Sequence, residues 1–422
     1  MSQRMAKFFI ILFCIGFFLY AQPAEEKFSM VDIKVAYQDL ESFYELGLPI
    51  DECDREFFAD FCRFSVALNQ HDLEMVKKSR FAFSVSIDNL QEFYISRMND
   101  QEVAKAKDQL STMQTEMQLG SMRGYYTLDE TNAVMDKLYQ KYGSKKLITA
   151  KQSIGKSFGG RDIYMVKISD NATSDESAQE PQVLYTALTH AREPGGLMTI
   201  VYFMYYLLEN YDKDSRVRSI VDNREIYFIP VVNPDGYLYN HNNGSGGGMW
   251  RKNRNGSGVD LNRNFGPHEL WNYPNSGSST SPSSDTYRGT AAFSEKETQV
   301  VRDFVLSKKI KTTLNYHTYS NLLIYPWGYK NETAHPMFVT MAKAMTKING
   351  YRYGTAQGLL YAVRGDSDSW FYKEAKVFAM TPEVGGSSDG FWPASSRIFP
   401  LAQANLESNL LMAEYAGEVP AK

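Results

Sequence analysis

Two rhythms of polar and apolar residues run through this chain. Near the amino end, Val31-Asp32-Ile33-Lys34-Val35-Ala36-Tyr37 alternates with the two-residue period of a half-buried strand. Arg63 to Leu68 and Phe81 to Val85 read as strands too. Gln38 to Leu46, His71 to Lys78 and Ile87 to Tyr94 carry helical spacing instead, with Asn69 a candidate cap. Residues 27–98 therefore predict a small α+β domain. Asn99 to Met117 is rich in Gln, Glu, Lys, Ala and Met with few large apolar residues, which predicts a solvated connecting helix capped by Asn99. Gly120-Ser121-Met122-Arg123-Gly124 breaks it, so residues 99–123 form the connector. Arg123, set among small residues, is the expected accessible cleavage point.

From residue 124 to 417 the pattern changes to helix and strand in alternation. Leu128 to Tyr142, Leu197 to Leu208, Val300 to Lys308, Pro336 to Ile348 and Leu401 to Ala416 have helical spacing. Asp162 to Ile168, Gln182 to Leu188, Glu225 to Val232 (through Pro230), Lys311 to Tyr316 and Val377 to Thr381 read as apolar strands. This alternation predicts an α/β fold, a mixed central sheet with helices on both faces, preceded by the small α+β domain. Two Gly/Asn/Ser-rich stretches, Asn242 to Met249 and Gly277 to Asp285, predict long loops.

Composition adds limits. A chain of 422 residues with 43% hydrophobic content has ample material for a large core. Its net charge of −4 gives no reason to expect nucleic acid or an anionic membrane as partner. Arg4 and Lys7, the apolar run Phe8 to Leu19 and Ala21 have the three parts of an export signal over residues 1–21. The run is shorter than the roughly 20 residues needed to span a bilayer, so no stable membrane insertion is expected once the signal is removed. The cut removes Cys14 and leaves Cys53 and Cys62. In an exported chain that pair permits a disulfide closing a small loop, the alternative being two buried thiols.

Candidate chemistry centres on Thr189-His190-Ala191-Arg192-Glu193-Pro194, where one strand ends and Pro194 opens a helix. His190 and Glu193 lie close enough to reach one small cation, at the sheet edge where α/β proteins collect ligands. A His-x-x-Glu pair alone is common by chance. His317, again at a strand end, supplies a third ligand, and His/Glu/His with an open position is a catalytic zinc set. Such a zinc polarises a carbonyl and makes water nucleophilic near neutral pH. Glu383, at another strand end, is the candidate proton acceptor.

In order and spacing these segments resemble the zinc carboxypeptidases of the A and B type, the M14 family. The resemblance runs from about Tyr125 to Ala416. It takes in Ile154-Gly155-Lys156-Ser157, Asn233-Pro234-Asp235-Gly236, Trp250-Arg251-Lys252-Asn253-Arg254 and Gly258-Val259-Asp260-Leu261-Asn262-Arg263-Asn264-Phe265, then His317 and Tyr325-Pro326-Trp327-Gly328-Tyr329. It implies one Zn2+ held by His190, Glu193 and His317, with Asp260 orienting the first histidine. It makes Glu383 the general base and Arg251 the stabiliser of the oxyanion. Asn262 and Arg263 would grip the substrate's terminal carboxylate, where a planar guanidinium suits bidentate recognition. Arg192 would serve residues further from the peptide's end, and Tyr361 would close over it. Asp368 falls where B-type enzymes carry the acid that selects basic side chains, with Asp366 a second carboxylate nearby. The family usually has Asp where Ser369 stands, so the other reading is that Asp368 replaces that structural acid and leaves an apolar or mixed pocket. The first domain resembles a procarboxypeptidase activation domain in its order of elements.

The expected activity is removal of C-terminal residues from peptides or proteins by an exported, zinc-dependent enzyme. The rivals are an amidase of the same fold acting on cell-wall peptides and a catalytically silent peptide-binding module. The complete set His190, Glu193, His317 and Glu383 argues against the silent module, because binding alone needs no general base.

Overall fold

The structure is a computed structural model that describes residues 26–50, 53–244, 246–332 and 335–420. The export signal at 1–21 lies outside the described residues. Strands β1 (Phe28–Ala36), β2 (Asp54–Phe57), β3 (Phe61–Asn69) and β4 (Ala82–Ile87) form an antiparallel sheet in the order β2-β3-β1-β4. The register pairs Val31 with Val66 and Ile33 with Phe64. One face is thereby apolar, and Val31, Ile33, Val35, Phe64 and Val66 are buried on it. Helices α1 (Leu40–Tyr44), α2 (Gln70–Lys78) and α3 (Leu90–Arg97) complete this unit, and Asn69 and Asn89 accept the capping bonds at the starts of α2 and α3.

Helix α4 (Asp100–Ser111) connects to the larger unit. It stops six residues before Met117, because the chain must straighten to bury Met117 in the main core. Arg123 is not an open cleavage point, contrary to the expectation from its neighbours. It is half-buried at φ 52, donates to the Met98 carbonyl at 3.2 Å and receives Ser395 Oγ on its own carbonyl at 2.6 Å. The disulfide is also absent. Cys53 and Cys62 are buried and not bonded to each other; Phe57, not Cys53, lies opposite Cys62, and the Cys53 thiol donates to Ile50 O at 3.0 Å.

Helix α5 (Leu128–Tyr142) opens on a complete capping box between Thr127 and Glu130. Beyond it are β5 (Gln152–Lys156), β6 (Asp162–Ile168), β7 (Gln182–Thr186), β8 (Glu225–Ile229), β9 (Ile310–Asn315), β10 (Leu322–Tyr325), β11 (Arg352–Thr355) and β12 (Phe378–Glu383). They form one mixed sheet in the order β11-β10-β12-β9-β7-β8-β6-β5. Its central strands β8, β7, β9 and β12 are parallel, and buried on both faces. The strand expected through Pro230 ends at Ile229, since proline has no N–H for the ladder.

Helix α6 (Pro194–Asn210) is buried along almost its whole length between the sheet and the helix Ile398–Ala404. This is why its sequence is apolar on every side. The expected terminal helix is two helices, Ile398–Ala404 and Leu406–Tyr415, separated at Asn405, whose side chain donates to Tyr351 Oη and Leu401 O. On the opposite face of the sheet, helices Lys296–Leu306 and Ser367–Lys373 cover a second apolar cluster. The small unit shares the main core: Leu90, Tyr94 and Met98 pack with Tyr125 and Phe391.

Candidate metal centre and substrate cleft

The carboxyl ends of β7, β9 and β12 meet at one edge of the large sheet. After β7 the chain turns at Leu188, φ 52, and Ala191 N bonds Arg251 O at 3.0 Å, which fixes the loop carrying His190 and Glu193. His317 lies two residues beyond β9. Its N–H donates to Pro382 O at 2.9 Å and its carbonyl receives Val384 N at 3.0 Å, so His317 and Glu383 sit side by side in a backbone bridge.

His190 Nδ1 lies 2.7 Å from Glu193 Oε1, and His317 Nδ1 lies 2.8 Å from Glu193 Oε2 and 3.0 Å from His190 Nδ1. Ligand atoms of all three lie within 4.8 Å of one another, and all three side chains are buried. Two ring nitrogens and a carboxylate converging out of water favour a cation between them, and two imidazoles with one carboxylate suit zinc. The rest of the surroundings agrees. His190 Nε2 lies 3.1 Å from Asp260 Oδ1, leaving Nδ1 as the ligand atom. Burial alone would depress His190, but the carboxylates of Glu193 and Asp260 outweigh it and push its pKa up to about 10. Burial would raise Asp260, yet Arg251, Arg263 and His190 together hold it well below the carboxylate range.

Arg251 donates through Nε and Nη2 to Asp260 Oδ2, at 3.1 and 2.9 Å. Asn262 bonds Asp260 Oδ1 through its backbone and receives Ser367 N on Oδ1 at 2.9 Å. Arg263 is anchored through Nε to Gly277 O at 2.8 Å, and its Nη2 meets Tyr361 Oη at 3.2 Å. Of the residues singled out from sequence, Asn262, Arg263, Asp366, Asp368 and Glu383 thus line one pocket, and Tyr361 bonds Arg263. A small pocket of about 40 Å³ opens beside Asn262 and Arg263, with Asp366, Asp368, Thr381 and Glu383 in its wall.

The small unit lies over this cleft. Tyr44 stacks on Tyr361 with centroids 6.0 Å apart, and Arg55 donates to Leu360 O. Arg192 pairs with Asp285 at 2.9 Å and lies between the rings of Phe28 and Phe391. In the glycine-rich loop, a Cβ on Gly247 would sit 3.0 Å from Ile95 of α3, so this glycine gives that helix its seat. Asp285 and Asn315, the partners of Arg192 and Asp368, escape sequence reasoning; the partner of each is distant in the chain.

The fold and the buried cluster define a metal-dependent hydrolase. Residues 131–408 match the zinc carboxypeptidase family, and the chain belongs to that family. Carboxypeptidase A1 of Mus musculus is 30% identical over 373 residues, covering 85% of this chain and 82% of its own. Carboxypeptidase B of Astacus astacus is 30% identical over 310 residues, covering 69% and 96%. The crystal structure of carboxypeptidase A from Helicoverpa armigera has the same fold, with a TM-score of 0.75, 23% identity, and 94% of this chain and 100% of that one covered. The family's catalytic zinc is this protein's cofactor. Among the described residues no helix is long and apolar enough to cross a membrane.

Proposed function

We propose that this protein is an exported carboxypeptidase that hydrolyses the last peptide bond of peptides or proteins, with a preference for basic C-terminal residues. The observation that carries the reading is that Glu383, bridged to His317, lines the same pocket as Asn262 and Arg263. Zinc held by His190, Glu193 and His317 would supply Lewis acidity at the scissile carbonyl. Asn262 and Arg263 bind the terminal carboxylate and thereby select a chain end over an internal bond. Glu383 takes a proton from the attacking water and returns one to the leaving amine nitrogen as the C–N bond breaks. Arg251, oriented by Asp260, faces the negative charge developing on the carbonyl oxygen.

The small unit acts as a mask in this reading. Its Tyr44 holds Tyr361 against Arg263, where an incoming carboxylate would bind. Lys105, Lys107 and Ser111 on α4, and Thr112 and Gln114 after it, are exposed. Release by proteolysis is expected there and not at Arg123. The test incubates the zinc-loaded full chain with a mixed peptide library, before and after limited proteolysis, and reads product masses with and without chelator. Loss of single C-terminal residues, faster after proteolysis and abolished by chelator, is expected. Intact C-termini with cleavage at other amide bonds would assign the same fold to a different amidase. Binding without any cleavage would leave a silent module.

A further inference from the structure

The pocket beside Arg263 contains two acids, and they are not equivalent. Asp368 is engaged by the scaffold. Its Oδ1 receives Asn315 Nδ2 at 2.6 Å, and the Thr381 hydroxyl bonds it as well. Asn315 is itself held by Thr186 at 2.9 Å, so Asp368 ties the helix Ser367–Lys373 to the ends of β7, β9 and β12. Ser369 turns its hydroxyl to Gly328 N at 3.0 Å.

Asp366 is different. Only 7% exposed, it caps that helix through Oδ2, which accepts Ser369 N at 2.9 Å. Its Oδ1 is buried in the pocket wall and has no hydrogen-bond partner among the described residues. Gly328 faces this atom: a Cβ there would lie 2.7 Å from Asp366 Oδ1, so the glycine keeps the space beside the oxygen open. A buried carboxylate oxygen without a partner is costly, and a cation reaching it removes that cost. Ile324, Leu360 and Val363 in the same wall offer apolar surface to the methylene stem of a long basic side chain.

We infer that Asp366, and not Asp368, is the specificity-determining residue that meets the cationic end of a C-terminal Lys or Arg. This rests on the carboxypeptidase reading above and assigns a residue within it. Burial raises both carboxyl groups, Asp368 up to about 7, while hydrogen bonds from Ser369 and then the charge of Arg263 partly offset the rise at Asp366.

The experiment uses the full chain, zinc-loaded and assayed before and after limited proteolysis, on peptides that differ only in ending with Arg or Phe. Asp366→Asn and Asp366→Ser both keep a residue able to cap the helix, and melting followed by circular dichroism checks that they fold. Each should lower the Arg-over-Phe ratio of kcat/KM on the order of 10- to 100-fold. Gly328→Ala should lower it in the same direction, because its methyl group crowds Oδ1. Asp368→Asn should move the ratio by less than about threefold. If a variant is inactive, direct titration with free arginine and free phenylalanine, the released products, reads the same ratio. A ratio that collapses in Asp368→Asn but stays within about threefold in both Asp366 variants overturns the inference and leaves the carboxypeptidase reading intact. A parent protein that prefers Phe overturns it too. No C-terminal hydrolysis of any peptide by the parent overturns the carboxypeptidase reading itself.

Discussion

Asp72 of α2 gives the contact between the two units a dependence on pH. Its side chain is fully buried against the loop carrying Asp285, whose N–H it accepts at 3.4 Å. Burial first, and then the charge of Asp285, push its pKa from an ordinary 3.8 up to about 8. Glu26 adds to the rise, while the Asp285 N–H and Lys252 oppose it; Arg192 occupies the far side of Asp285. The sign follows from linkage. The docked state holds a proton that an undocked, solvated Asp72 releases above about pH 4. Docking is therefore at full strength below that pH, weakens as pH rises, and levels off once the docked pKa near 8 is passed. In between, each pH unit weakens docking by up to about tenfold, or about 1.4 kcal/mol. From pH 5 to pH 8 the bound is about a thousandfold. Asp72→Asn removes that proton and leaves only the smaller contribution of Glu26, whose pKa burial and then Asp285 push up to about 7, so its docking should fall less steeply through the same window. Hydrogen exchange of peptides spanning 69–76 and 283–287, compared between the two proteins at each pH, cancels the intrinsic rate. Protection that falls more steeply with pH in the parent is expected. Parallel profiles in the two proteins would refute the reasoning.

Other outcomes follow from the metal centre and its surroundings. His190→Ala should lose both zinc and hydrolysis, whereas Glu383→Ala should lose hydrolysis and keep the metal, as measured by metal analysis of the purified proteins. Asp260→Asn should weaken zinc binding by roughly 10- to 100-fold in competition with a chromophoric chelator, since it disturbs the bond that orients His190. Gly365 has φ 75, and a Cβ there would lie 2.1 Å from Arg263 O. Gly365→Ala should therefore displace Arg263 and raise KM more than it lowers kcat, in steady-state assays on a peptide with a free C-terminus.

The parts of the site that lie at strand ends were legible because hydrophobic pattern locates strand ends. His190 and Glu193 follow the apolar run of β7 and precede Pro194, and His317 and Glu383 close runs of their own. The contacts that hold them were not legible. Asp285 lies in a Ser-rich loop, and nothing near it marks it as the partner of Arg192, 93 residues away. Strands β10 and β11 have four residues each, too short for alternation to declare itself. The disulfide expectation failed because counting cysteines carries no information about register. The connecting helix is shorter than its sequence predicts because helix propensity is local, whereas the pull that buries Met117 comes from the core.

His317 and Glu383 lie 66 positions apart in the chain, yet two backbone hydrogen bonds clamp them together at the sheet edge. The residues that would judge the substrate stand elsewhere, in the 262–285 loops and around the helix Ser367–Lys373. A change of diet is then a matter of exchanging loops and one short helix, while the bond-breaking pair stays anchored to strands that such exchanges leave alone. Evolution, or an engineer, can retune what this molecule eats without relearning how it bites.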